Sequence, residues 1–128
     1  MTTKGLSFLI ALLLVACATT PPAVRRGDRD FIGREEIEQS DARNALDLVK
    51  VLRPQWLDTR GVSTFKQAAG EEGIVVYMDN ARMGLPDSMG EISLASVRYL
   101  RFFNAAQATQ RWGSGHLHGA ILISTQEP

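Results

Sequence analysis

Trp112-Gly113-Ser114-Gly115-His116-Leu117-His118-Gly119-Ala120-Ile121-Leu122-Ile123-Ser124-Thr125 is a glycine-spaced turn that runs into a short, wholly apolar stretch. An apolar run bounded by breakers reads as a buried strand, here over residues 120–123. Upstream, Ile74, Val76 and Met78 alternate with Val75 and Tyr77, and both sets are apolar. That pattern predicts a central strand covered on both faces. Asp79-Asn80 follows it, a pair that tolerates positive φ and suits a tight hairpin returning through residues 81–83 to Gly84. Tyr99-Leu100-Arg101-Phe102-Phe103 lies within a third strand over 97–103. Asn104 with Gln107 three positions on has the form of a capping box, so 105–112 is expected to be helical, with Gly113 as its left-handed stop.

Working back toward the N-terminus, Ala42, Ala45, Val49 and Leu52 recur at helical spacing, widened by Leu46 and Leu48. They predict a helix over 42–52, capped by Ser40 or Asp41 and ended by Pro54. Gln55-Trp56-Leu57 is expected to pack back on the core. Residues 58–73, with Gly61, Gly70, Gly73 and the pair Glu71-Glu72, carry the weakest structural signal. A loop over 86–90, a helical turn over 91–95 and a further strand near Phe31 complete the pattern. The predicted fold class is α+β, a small mixed β-sheet with two short helices.

The chain has 128 residues, 45% of them hydrophobic, with formal net charge zero and one cysteine. The length suits one domain with a modest core. Balanced charge argues against nucleic acid as a partner, because phosphate binding needs a basic footprint. A single cysteine cannot form an internal disulfide.

Lys4 followed by an apolar run to Ala16 has the form of a signal peptide over 1–16, too short for a spanning helix. Leu14-Val15-Ala16-Cys17 resembles a bacterial lipobox, which implies cleavage before Cys17 and its lipidation; the alternative is an ordinary signal peptide with a chance cysteine. Lipidation converts the membrane assignment to anchored. Ala18 stands where aspartate commonly retains lipoproteins at the inner membrane, so the resemblance implies the outer membrane of a two-membrane cell, with the periplasmic or surface face open. Residues 17–30, with Pro21-Pro22, Arg25-Arg26 and alternating charge, read as lipidated cysteine and flexible tether, and 31–126 as the domain.

The domain resembles the plug of TonB-dependent outer-membrane receptors. Plugs begin with a short strand meeting a run like Ile32-Gly33-Arg34-Glu35-Glu36-Ile37, then a helix like that over 42–52. They continue with a strand ending like Val76-Tyr77-Met78-Asp79-Asn80. They close with a strand, an alanine-bearing helical turn, an aromatic–glycine pair such as Trp112-Gly113, and a glycine leading into a stretch like Gly119-Ala120-Ile121-Leu122-Ile123-Ser124-Thr125. The likeness spans about residues 31–125. Asn80 replaces the common glycine, and Ala106-Gln107 the usual glycine–proline. A receptor barrel needs over ~200 residues, and none follow Pro128. The resemblance therefore implies a plug-like binding or interaction domain on an envelope lipoprotein, accessory to TonB-dependent uptake and not itself a transporter. Its implied partners are a bilayer, through the anchor, and an outer-membrane β-barrel receptor or a small ligand. The alternative is a purely structural envelope lipoprotein, with a small hydrolase or metal-binding protein behind it.

Little catalytic chemistry is expected. His116 and His118, two apart, would share one face if on a strand, as two metal ligands do; the alternative is a polar turn before the last strand. Ser114 and His116 lack the orienting acid and oxyanion donors that acyl transfer requires. Gly113-x-Gly115 lacks the lysine and hydroxyl residue of a phosphate loop. No catalytic residue, metal or cofactor is assigned. Arg98, Arg101 and Arg111 form either a solvated face or the complement of an acidic partner. The candidate binding loops hold Asp79, Asn80 and Arg82 on one side and Ser114, His116 and His118 on the other, since loops on a rigid sheet commonly carry function.

Overall fold

A computed structural model describes residues 28–58 and 73–128. The signal peptide, Cys17, the tether as far as residue 27 and most of the weakly patterned stretch (59–72) lie outside the described residues. Five strands form one mixed sheet: β1 (Phe31–Ile32), β2 (Val75–Met78), β3 (Ala81–Gly84), β4 (Tyr99–Phe103) and β5 (Ala120–Ser124), in the order β1-β4-β5-β2-β3. β2 and β5 run parallel and the other neighbours antiparallel. The α+β class with a small mixed sheet is therefore observed.

β5 occupies the centre because all five of its residues are apolar or small enough to be buried. Side chains alternate across a strand, so the sheet has two distinct faces. One carries Ile32, Leu100, Ile121, Ile123, Ile74 and Val76, packed with Leu48, Val49, Trp56 and Met89 into the main core. The other carries Val75, Tyr77, Ala120 and Leu122, packed with Ala108, Tyr99, Phe103 and Trp112. The alternation along Ile74 to Met78 thus divides between the two cores, as a doubly covered strand requires.

Helices α1 (Arg34–Gln39) and α2 (Ala45–Leu52) serve the main core, joined by 3₁₀ segments Pro54–Leu57 and Pro86–Glu91. Helix α3 (Ala105–Trp112) serves the other face. The described residues thus hold three α-helices, one more than the sequence pattern implied. α1 went unrecognised because only Ile37 of its six residues is buried, leaving no apolar period. It is held by Arg34, whose Nη1 donates to the carbonyls of Leu94 (3.0 Å) and Val97 (2.8 Å).

α2 starts at Ala45 instead of 42, with Asn44 as its cap in place of Ser40 or Asp41. The Asn44 carboxamide accepts the Asp47 amide at 2.8 Å, and the extended Asn44 backbone bridges Ser93. A residue held in an extended bridge cannot also be helical. That bridge likewise takes Ser93 out of the helical turn expected over 91–95. The expected loop over 86–90 is the second 3₁₀ segment, opened by Pro86 and buried at Met89. Trp56 does pack back on the core, 2% exposed, with its Nε1 donating to the Arg29 carbonyl at 2.9 Å. Among the described residues, no helix is long and apolar enough to cross a membrane.

Candidate functional site

The hairpin between β2 and β3 turns through Asp79 (φ 47°) and Asn80 (φ 75°), both in the left-handed region. Two successive positive φ values match the right-handed twist of the flanking strands. Asp79 does more than turn the chain. Its carboxylate accepts the Thr125 hydroxyl at 2.7 Å, the Thr125 amide at 2.9 Å and the Ser124 hydroxyl at 3.3 Å. These bonds, the Thr125 hydroxyl foremost, hold the Asp79 carboxyl below its ordinary range, against a small opposing cost of desolvation. Asp79 is thereby a clasp joining the hairpin to the end of β5.

Helix α3 is set by its capping box: the Asn104 side chain accepts the Gln107 amide at 2.9 Å, and the Gln107 side chain accepts the Asn104 amide at 3.1 Å. Eight residues later Trp112 lies flat on Tyr77, ring centroids 4.2 Å apart and 6° from parallel. Gly113 ends the helix with φ 89° and ψ −168°, a conformation only glycine readily adopts, although extended in ψ and not the left-handed helical stop expected. The chain then doubles back, placing His116 against Tyr77. The Gly113 carbonyl can only accept, so His116 donates from Nδ1 at 2.8 Å, and Nε2 accepts the Tyr77 hydroxyl at 2.8 Å. Both imidazole nitrogens are engaged.

His116 and His118 do not share a strand face. They sit in a turn, His116 buried at 5% exposure and His118 half-buried, with Leu117 between them 69% exposed. Among the described residues, no group of three or more His, Cys, Asp or Glu side chains could hold a metal ion. Ser114 is exposed, and its neighbour His116 spends both nitrogens elsewhere.

The hairpin and the loop after α3 meet through Arg111, whose Nη2 donates to Asn80 Oδ1 at 3.1 Å. The same guanidinium lies over the rings of Trp112 (5.0 Å) and Phe103 (5.3 Å), and Arg101 lies over Phe103 at 5.3 Å. A cleft of about 170 Å³ opens beside the hairpin, with Tyr99, Leu122 and Arg111 among its walls. That is below the ~300–1,000 Å³ usual for small-molecule sites.

No protein-family model, curated protein or solved structure matches the chain.

The site therefore rests on its own geometry. Of the six loop residues singled out by sequence, Asp79, Asn80 and His116 converge around Tyr77, Trp112 and Arg111, while Arg82 stands exposed beside Tyr77 across the β2–β3 ladder. Asp79 and His116 are consumed internally, leaving Asn80, Arg82 and Ser114 on the surface. Sequence reasoning missed Thr125 as the partner of Asp79, Tyr77 as the partner of His116, and the two arginines sharing Phe103. These contacts span 46, 39 and, for Arg101, 2 positions. Only the last carries a local signal, an i, i+2 pair on one strand face.

Proposed function

We propose that this protein is a lipid-anchored envelope protein whose α+β domain is a non-enzymatic binding module, plug-like in form and accessory to TonB-dependent uptake at the outer membrane. The observation that carries the reading is the closed unit of Asp79-Asn80 hairpin, capped α3 and returning glycine turn, which pins two loops beside a parallel strand pair. Its order along the chain is that of the plug resemblance. Rigid loops on a sheet suit recognition, because little conformational freedom remains to be lost on binding. The small cleft favours a macromolecular partner, an outer-membrane β-barrel, over an enclosed small ligand. A hydrolytic or metal-binding reading draws no support from His116, whose nitrogens are both engaged.

Crosslinking the C-terminally tagged protein in its native membranes and identifying what co-purifies tests this. The expected result is recovery of a β-barrel receptor, lost when exposed Asn80, Arg82 and Ser114 are replaced together while the fold survives. Recovery of only lipid and abundant envelope proteins overturns it. That outcome selects the second reading, a purely structural lipoprotein, which the internal use of Asp79 and His116 favours.

A further inference from the structure

The face of the sheet that meets α3 has a side-chain row running across all five strands. Direct pairing aligns Phe31 with Arg101, Arg101 with Leu122, Leu122 with Tyr77, and Tyr77 with Arg82. Leu122 and Tyr77 are buried, whereas Arg101 and Arg82 are exposed. α3 adds Arg111, also exposed, and no carboxylate; nor does any strand residue on that face carry one. The acids at its rim are Asp79, engaged by Thr125, Glu127, paired with Arg98 at 3.6 Å, and Asp30, which precedes Phe31 at the β1 edge. The helices and turns on the opposite face are the reverse: Glu35, Glu36, Glu38, Asp41, Asp47, Asp87 and Glu91 stand against Arg34, Arg43, Lys50 and Arg53. A chain of zero net charge thus has one basic side and one acidic side.

The basic side is also aromatic. Arg101 and Arg111 both lie over Phe103, Arg111 over Trp112, and Phe31 stacks on Tyr99 at 5.4 Å. Guanidinium groups held over rings beside half-exposed tyrosine and tryptophan suit the headgroup layer of a bilayer, where one part of a side chain meets apolar matter and another meets water and phosphate. Phe31 follows Cys17 by 14 positions, a stretch that reaches at most about 50 Å, and it lies at the edge strand, next to Arg101.

We infer that the α3 face, through Arg101 and Arg111, lies down on the anionic headgroups of the bilayer that holds the Cys17 anchor. This orients the acidic α1–α2 side away from the membrane, and it rests on the lipid-anchor reading. A basic residue near an anionic surface strengthens association by about fivefold, and the effect falls with salt.

The test uses the lipidated protein reconstituted in phosphatidylcholine vesicles with or without phosphatidylglycerol, the acyl chains brominated near the headgroup. Trp112 is on the proposed contact face and Trp56 in the main core, so the Trp56→Phe variant makes Trp112 the sole reporter. Should that variant misfold, the difference between the wild type and Trp112→Phe reads the same signal. The expected result is severalfold stronger quenching of Trp112 in anionic vesicles, reversed by the Arg101→Glu/Arg111→Glu pair and weakened by salt. Vesicle association with Trp112 unquenched, or quenched equally without phosphatidylglycerol, overturns the inference. So does charge reversal that abolishes crosslinking to an acidic protein while quenching is absent. Failure of the anchor reading looks different: the Cys17→Ser protein then stays with the native membrane fraction as the wild type does.

Discussion

One face of the sheet meets α1, α2 and two 3₁₀ segments and buries Ile32, Leu48, Val49, Trp56, Met89, Leu100 and Ile121 almost completely. The other meets a single eight-residue helix whose only buried residue is Ala108, and it completes its cover with rings, guanidinium groups and hydrogen bonds. The first is a conventional apolar core, stabilised by the area it removes from water. The second is thin, so its order depends on particular pairs: Tyr77 with His116, Asp79 with Thr125, Arg111 with Asn80. The difference separates a face held by apolar burial from one held by specific polar and ring contacts. The thick face can hold the fold while the thin face leaves side chains exposed for the contacts proposed above.

Mutations on each side sharpen that contrast. Leu48→Ala, in the thick core, is expected to cost about 2–5 kcal/mol in chemical denaturation, since a buried leucine leaves a cavity. An equal cost from a surface change on the α3 face would break the comparison. Tyr77→Phe, on the thin face, keeps the stack on Trp112 but leaves His116 Nε2 buried without its donor. The expected loss is about 1–3 kcal/mol, and in NMR spectra the His116 ring signals should broaden or shift while those of the α2 core do not.

The Asp79 clasp gives a pH-dependent version of the same test. Its carboxyl is depressed in the folded state, so its contribution is present in full above the ordinary carboxylate range and is lost as pH falls through the folded-state value. Melting temperature should therefore fall with acid in the wild type. Asp79→Asn should start lower, by about 1 kcal/mol for the weakened bonds to Thr125, and lose this component of the acid dependence. A parallel pair of melting curves across acid pH would refute the clasp. The smallest effect belongs to Arg82→Ala, an exposed edge residue beyond the ring contacts, where stability should stay within about 0.5 kcal/mol of the wild type in the same denaturation.

Much of the frame is legible from local pattern. The alternation in Ile74-Val75-Val76-Tyr77-Met78, the turn at Asp79-Asn80, the box of Asn104 and Gln107 and the apolar stretch from Ala120 each encode their own element. Each depends on backbone preferences or periodicity within a few residues. The start of α2 and the existence of α1 were not legible, because Asn44 is held by Ser93 and Arg34 by carbonyls some 60 positions away. His116 shows the limit most plainly. As a sequence feature it belongs with His118 to an outward-facing polar turn; in the fold the turn is there, but His116 points inward to Tyr77 and leaves His118 behind.

The strand identities, the hairpin, the two faces of β2, the capped final helix and the α+β class are written in the local sequence, since these follow from short-range sterics and the burial of apolar periods. The strand order, the pairing of Asp79 with Thr125 and of Tyr77 with His116, and the gathering of Arg82, Arg101 and Arg111 on one side came from the assembled fold alone. Those outcomes depend on which distant segments share a face, and a residue's own neighbours along the chain carry no record of that.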